Sequence, residues 1–202
     1  ERRHLPPDLS ATLCLIRQLV PSVAILHEAA RDVAHGAIAP ERLVVTAQAR
    51  LIVTDYALGP ALEQLLYARD RYWTDLRVPL PRAAGLARFD QGADVLQVGV
   101  VALSLLLGRR LKDAEHGAAL ADLVTSARAV TGGRELGPLP VSVQEWLSRA
   151  LHLDTRGAFP SATEARQAFE RIIDDSGHDA SPARLDAWLS RLREPVAAPE
   201  PL

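Results

Sequence analysis

The chain contains no methionine, one cysteine and one lysine among its 202 residues, and aromatics make up only 4%. A chain without methionine is expected to be a piece or processed product of a longer protein. A single cysteine excludes a disulfide framework and fits a reducing, cytoplasmic setting. Cys14 stands among apolar residues in a helical pattern and reads as a small core residue rather than a reactive thiol. Positive charge rests almost entirely on arginine, with Lys112 the exception, and the net charge is −2 with a pI near 6.3. That balance carries no electrostatic footprint for nucleic acid or for a charged membrane surface. The longest apolar run, 95–107, is broken by Gln97, Gly99 and Ser104 and is too short to insert directly into a bilayer. No signal peptide is visible.

What is present is an ordinary globular composition, 48% hydrophobic and 24% charged, sufficient for one substantial core. Residues 8–31 read as a long helix with Ser10 as N-cap and Leu13, Ile16, Val20, Val23, Ile25 and Leu26 on a broad apolar face. Pro21 within it predicts a kink or a frayed turn. The β-branched runs Leu43-Val44-Val45 and Leu51-Ile52-Val53 predict a small hairpin. Residues 59–92, with Pro60, Pro79 and Pro81, lack clear periodicity and read as a long connection with a role of its own. Residues 93–107 are apolar on all sides, the signature of a central buried helix. Helices are then predicted over 114–130, stopped by Thr131-Gly132-Gly133, and over 142–151 after Pro138 and Pro140. Another runs from the capping box Ser161-Ala162-Thr163-Glu164 to about residue 173. The expected outline is thus mainly α, two short strands followed only by helices.

A polar stretch over 174–182 is a plausible domain edge. After it comes a short amphipathic helix with Leu185, Trp188, Leu189 and Leu192 on one face. Trp188 would pack that helix against the lobe or dock a partner, whereas Trp146 reads as core. The tail from Pro195 reads as a Pro-rich linker. The division expected is 1–175 for the main unit, 176–194 for linker plus helix, and 195–202 for the tail.

The most informative stretch is His35-Gly36-Ala37-Ile38-Ala39-Pro40-Glu41-Arg42, followed by Asp55-Tyr56-Ala57. Protein kinases carry H-R-D-L-x-x-x-N and, roughly twenty residues on, D-F-G. Residues 93–100, Ala-Asp-Val-Leu-Gln-Val-Gly-Val, resemble the family's S-D-V-W-S-L-G-V. Leu153-Asp154 with Phe159-Pro160-Ser161-Ala162 resembles its D-P-x-x-R-F-P-S-A. In order and spacing, residues 9–173 resemble the large C-terminal lobe of bacterial serine/threonine protein kinases. The resemblance implies a protein-kinase-like C-lobe with a short hairpin at the catalytic-loop and D-F-G region and a central buried helix.

The positions that match are architectural. His35 and Tyr56 fall on the aromatic–histidine stack, Pro40 and Gly99 on turn and packing positions, and Asp94 on the aspartate that holds the catalytic-loop backbone. The positions lost are chemical. Ala37 replaces the base, Ala39 the phosphate-contacting lysine, and Arg42 the metal-binding asparagine; Lys112 can fill neither lysine place. Ala57 replaces the D-F-G glycine and limits positive-φ freedom. Arg82 falls on the glutamate of A-P-E and Ala158 on its arginine partner. Losing one member of a buried pair costs about 3–5 kcal/mol, whereas losing both can be nearly neutral. Asp55 remains, but Arg42 beside it opposes a metal, so a turn or capping role is expected. No G-x-G-x-x-G loop precedes the first helix.

Two further constellations are set aside. His27-Glu28 with His35 puts the histidines eight positions apart, not the four that place both on one helix face for zinc. Arg109-Arg110 at a helix end is explained by the helix dipole and solvation. The reading is therefore a catalytically inactive kinase-like module, a pseudokinase with neither cofactor nor metal, acting through an unknown protein partner in signalling or scaffolding. The alternatives are a nucleotide-binding switch completed by an upstream small lobe, or a structural spacer. The expected partner surface lies at Leu120, Leu123 and the Arg82 region.

Overall fold

The structure, a computed structural model, describes residues 6–30, 32–83, 85–131 and 135–193. The first helix, α1 (Leu9–Ala29), starts at Asp8, whose carboxylate accepts the Ala11 N–H at 2.9 Å. Asp8, not Ser10, is therefore the N-cap, and Ser10 lies in the first turn. The helix is unbroken across Pro21, so the frayed turn expected there is absent. Leu19, Val20, Val23 and Ala24, all buried, hold the surrounding turns in place. By length and apolarity α1 is long enough to cross a bilayer, which the sequence reading passed over; here 61% of its apolar window is buried inside the protein.

The hairpin forms where the β-branched runs placed it. Strands β1 (Leu43–Val45) and β2 (Leu51–Val53) pair antiparallel with Val44 opposite Ile52. Residues 59–92 are more structured than expected, containing α2 (Gly59–Glu63) and α3 (Arg69–Leu76). Both are too short for a periodic signal to stand out. The central helix α4 (Gln91–Leu107) is capped by Asp90 and ends on Gly108 in the left-handed region, and its side chains are buried on every face.

Beyond α4 the expected helix over 114–130 is not formed. Gly117 adopts φ +87°, which ends any helix there. Only α5 (Leu120–Ser126) remains, and β3 (Arg128–Val130) pairs antiparallel with β4 (Leu136–Pro138). The expectation of helices alone after the first hairpin is thus corrected by a second one. The Gly132-Gly133 stop, Arg31 at the end of the predicted first helix, and the tail from Pro195 lie outside the described residues. Helix α6 (Val141–Ala150) follows, then α7 (Ala162–Ser176), whose N-cap Ser161 accepts the Glu164 N–H at 3.3 Å.

The architecture is mainly helical with two small antiparallel sheets. Its main core joins α1, α4, α5, α6 and α7. Trp146 is in that core and donates its indole N–H to the Ala165 carbonyl at 2.9 Å. The last helix, α8 (Pro182–Arg193), packs on α1 through fully buried Leu185, with Trp188 and Leu189 beside it and Cys14 in the same cluster. Asp8 pairs with Arg191 at 3.0 Å, fastening α8 to the start of α1.

Candidate functional site

The loop 34–39 is built from the inside out by two polar residues of α4. Asp94 and Gln97 stand three apart, so they share one helix face, and both are fully buried. The Asp94 carboxylate accepts the His35 N–H at 2.7 Å and the Gly36 N–H at 2.8 Å. His27 of α1 completes its set. The His27 Nδ1 accepts the Ala162 N–H at 3.4 Å, so Nε2–H donates to Asp94 at 2.9 Å. Gln97 accepts the Ile38 N–H at 2.8 Å and donates to the carbonyls of Gly36 (3.2 Å) and Pro79 (3.4 Å). A buried carboxylate is tolerated only when its charge is met by such donors. Asp94 thus performs the backbone-holding duty expected of it.

Gly36 sits at φ +79°, and a Cβ there would lie 2.4 Å from the Gly59 Cα. That contact presses the loop against α2 and leaves no room for a side chain at either glycine. Ala37 and Ala39 are each 1% exposed. Ala37 packs in a cluster with Ala34, Tyr72, Val78, Leu80, Phe89 and Ala93. The positions where the resemblance puts a base and a phosphate-contacting lysine are therefore both buried, and the first of them is covered by residues 72–89.

That covering segment is braced. Arg69 donates to the Pro81 carbonyl at 2.7 Å, Glu63 accepts the Phe89 N–H at 2.8 Å, and the Tyr72 hydroxyl donates to the Leu62 carbonyl at 2.9 Å. Gln97, His27, Gly36 and Arg69 were not singled out from sequence for these duties. The available signal was Gln97, a polar side chain inside the longest apolar run.

Pro40 opens a short 3-10 turn, Pro40–Arg42, which leads into β1. Arg42 reaches Asp55 with its Nε at 3.4 Å from Oδ2 and also donates to the Leu76 carbonyl at 3.2 Å. Asp55 sits in a turn at φ +58°, half-exposed and held by a cation instead of facing a metal. Ala57 adopts φ +59° in spite of its Cβ, so the restriction expected from the missing glycine is met by strain rather than by a different backbone. Tyr56 makes an edge contact with His35, centroids 5.9 Å apart at 78°. Burial pushes the His35 imidazole below its ordinary pKa, opposed chiefly by Asp94. Among the described residues no group of three His, Cys, Asp or Glu side chains could hold a metal ion.

Gly99 marks the closest approach of α4 to α6: an added Cβ would lie 3.0 Å from the Ala150 carbonyl carbon. Arg109 pairs with Glu115 at 2.7 Å and holds that carboxyl at about 2, while Arg110 pairs with Glu41 at 2.9 Å. Both arginines thus have specific partners beyond the helix-end role expected of them. Arg82 is exposed, and the turn 151–155 that leads to half-buried Ala158 lines a cavity with it. The expected partner surface is corrected at its centre. Leu120 is 3% exposed and Leu123 packs against the main core, because α5 turns its apolar side inward onto α6.

No protein-family model matches the chain, and no curated protein matches it. The arrangement stands on its own geometry. It is a backbone lock made by Asp94, Gln97 and His27 around a loop whose outward chemistry is absent.

Proposed function

We propose that the chain is the large lobe of a protein-kinase-like fold that has lost phosphoryl transfer. In this reading it acts by binding other proteins in cytoplasmic signalling or scaffolding. The observation that carries this reading is the burial of Ala37 and Ala39 at 1% exposure. A general base must reach the proton it removes, and a phosphate clamp must reach the phosphate. Neither position opens to a substrate. The Arg42–Asp55 pair supports the same conclusion, because it occupies the one carboxylate left for a metal. Support for the fold comes from the order of parts: a long helix, a loop held by the central helix, a hairpin, a braced segment, then α4. The test is a phosphoryl-transfer assay with Mg-ATP and general protein substrates. The expected result is no transfer above a no-protein blank. Transfer that disappears in Asp55→Ala would overturn the reading.

A second reading, a nucleotide-binding switch, is favoured by one observation. The cross-strand pair Val44 and Ile52 is 48% exposed at both residues, beside 65% exposed Tyr56. An upstream small lobe seated on this apolar hairpin face would cover it and complete a nucleotide pocket above Asp55. Calorimetric titration of Mg-ATP into this chain and into an upstream-extended form separates the readings. Binding by the extended form alone selects the switch; binding by neither selects the partner-binding module.

A further inference from the structure

A hollow lies between residues 80–82, 116–121 and 151–155, with a volume of about 320 Å3. Leu96, Leu120 and Leu151 form its apolar wall, and Arg82, His116 and His152 its polar side. Each polar residue is placed at some cost or left without a partner. The Arg82 guanidinium lies over Gly117, 3.2 Å from where a Cβ there would sit, and makes no hydrogen bond or ion pair with any described residue. His116 is fixed by stacking on Trp73, centroids 4.4 Å apart at 16°, and its buried Nδ1 has no partner among the described residues. The buried Nε2 of His152 is likewise unpartnered.

The backbone of His152 is the more telling feature. It lies at φ +54° just past α6, where the Leu153 N–H reaches back to the Ser148 carbonyl at 3.0 Å. Glycine is the usual residue at this helix-ending position, and a side chain there costs roughly 1–2 kcal/mol. Strained backbone of this kind clusters at ligand clamps and switch regions. Burial, opposed by Asp70 and reinforced by Arg82, holds His116 below its ordinary pKa; burial, opposed by Asp90, does the same for His152.

The charge count selects the ligand class. One guanidinium, two neutral imidazoles and an apolar wall suit a monoanion carrying a small apolar body. A phosphate dianion would find a single positive charge. The volume lies at the lower end of ligand pockets, which run from about 300 to 1,000 Å3. We propose that this cavity binds a small organic monocarboxylate, its carboxylate on Arg82 beside His116 and His152, and its apolar body against Leu96, Leu120 and Leu151. The inference is independent of the kinase-like reading.

The experiment titrates the full chain with hexanoate, with hexanamide as the uncharged match and inorganic phosphate as the anion without a body. Calorimetry gives affinity, and the imidazole Cε1–H resonances report which histidines respond. Expected are saturable binding of hexanoate, shifts confined to His116 and His152, and at least about tenfold weaker binding of hexanamide and of phosphate. Arg82→Gln, at an exposed position, should weaken hexanoate at least about tenfold. Ala121→Trp, which fills the mouth from the exposed side of α5, should abolish binding; unchanged melting confirms that both variants fold. Equal binding of acid and amide, undiminished binding by Arg82→Gln, phosphate matching hexanoate, or no binding at about 50 mM hexanoate would each overturn the assignment.

Discussion

Returning a carboxylate to the loop is the sharpest test of the reasoning about Ala37. Asp at this position would enter a space where the residue is 1% exposed and surrounded by Ala34, Tyr72, Val78, Leu80, Phe89 and Ala93. Two costs follow. Overpacking by the extra atoms is worth about 1–3 kcal/mol, and an unpaired buried charge about 3–5 kcal/mol. Ala37→Asn carries the first cost without the second. Against a typical total of about 5–15 kcal/mol, Ala37→Asp should lose roughly 5 kcal/mol at neutral pH and Ala37→Asn about 2 kcal/mol. The pH dependence separates the two terms. The folded-state carboxyl is raised above its unfolded value of about 3.9, so the unfolded chain releases its proton first as pH rises. Stability of the Asp variant therefore falls from pH 4 upward, whereas that of the Asn variant does not follow this curve. Urea unfolding across that range measures both. If Ala37→Asp stays within about 1 kcal/mol of the parent at neutral pH, or matches the Asn variant at every pH, the loop is open and the argument for a silent site fails.

Asp94→Asn removes the charge that meets three donors and leaves one of the loop N–H groups facing an amide. The expected loss is about 3 kcal/mol by urea unfolding, and a loss under about 1 kcal/mol would show that the lock does not need a carboxylate. Ala57→Gly relieves a left-handed backbone at φ +59° and should raise stability by about 1 kcal/mol, read as a higher unfolding midpoint with an unchanged m-value. His35, His116 and His152 all have pKa values lowered by burial. The unfolded chain then binds protons first as pH falls below 6.5, so stability should decline from there down through the folded values. His116→Gln with His152→Gln should flatten that decline; an equal slope in the double variant refutes the assignment.

The central helix and the first hairpin were legible because apolar residues fall on every side of α4 and β-branched residues dominate β1 and β2. The duty of Asp94 was reached only through the resemblance, which puts a backbone-holding aspartate at that position. The second hairpin was not, because Arg128-Ala129-Val130 and Leu136-Gly137-Pro138 carry no alternation and contain poor strand formers. The helix predicted over 114–130 failed at both ends: at Gly117, whose positive φ depends on the turn around it, and at Arg128–Val130, which pair as a strand. The orientation of α5 was missed for another reason. Leu120 and Leu123 look the same in sequence whether they face a partner or the α6 face, and only packing decides. The burial of Ala37 likewise depends on residues 72–89, far along the chain.

Polar groups in this chain divide into two kinds, and the division bears on where any ligand chemistry can lie. Asp94, Gln97 and His27 are committed inward, each bound to loop backbone or to one another. Freeing Asp94 or Gln97 for a substrate would release two or three buried backbone groups at once, at about 1–3 kcal/mol each. Arg42 and Asp55 are committed to each other. Buried nitrogens without a partner among the described residues include His35 Nε2 in the loop itself as well as His116 Nδ1 and His152 Nε2, so an orphaned nitrogen does not by itself separate the loop from the cavity. What separates them is the Arg82 guanidinium, the one charged group among the residues lining that cavity. The cavity beside Arg82 is therefore where binding should be sought.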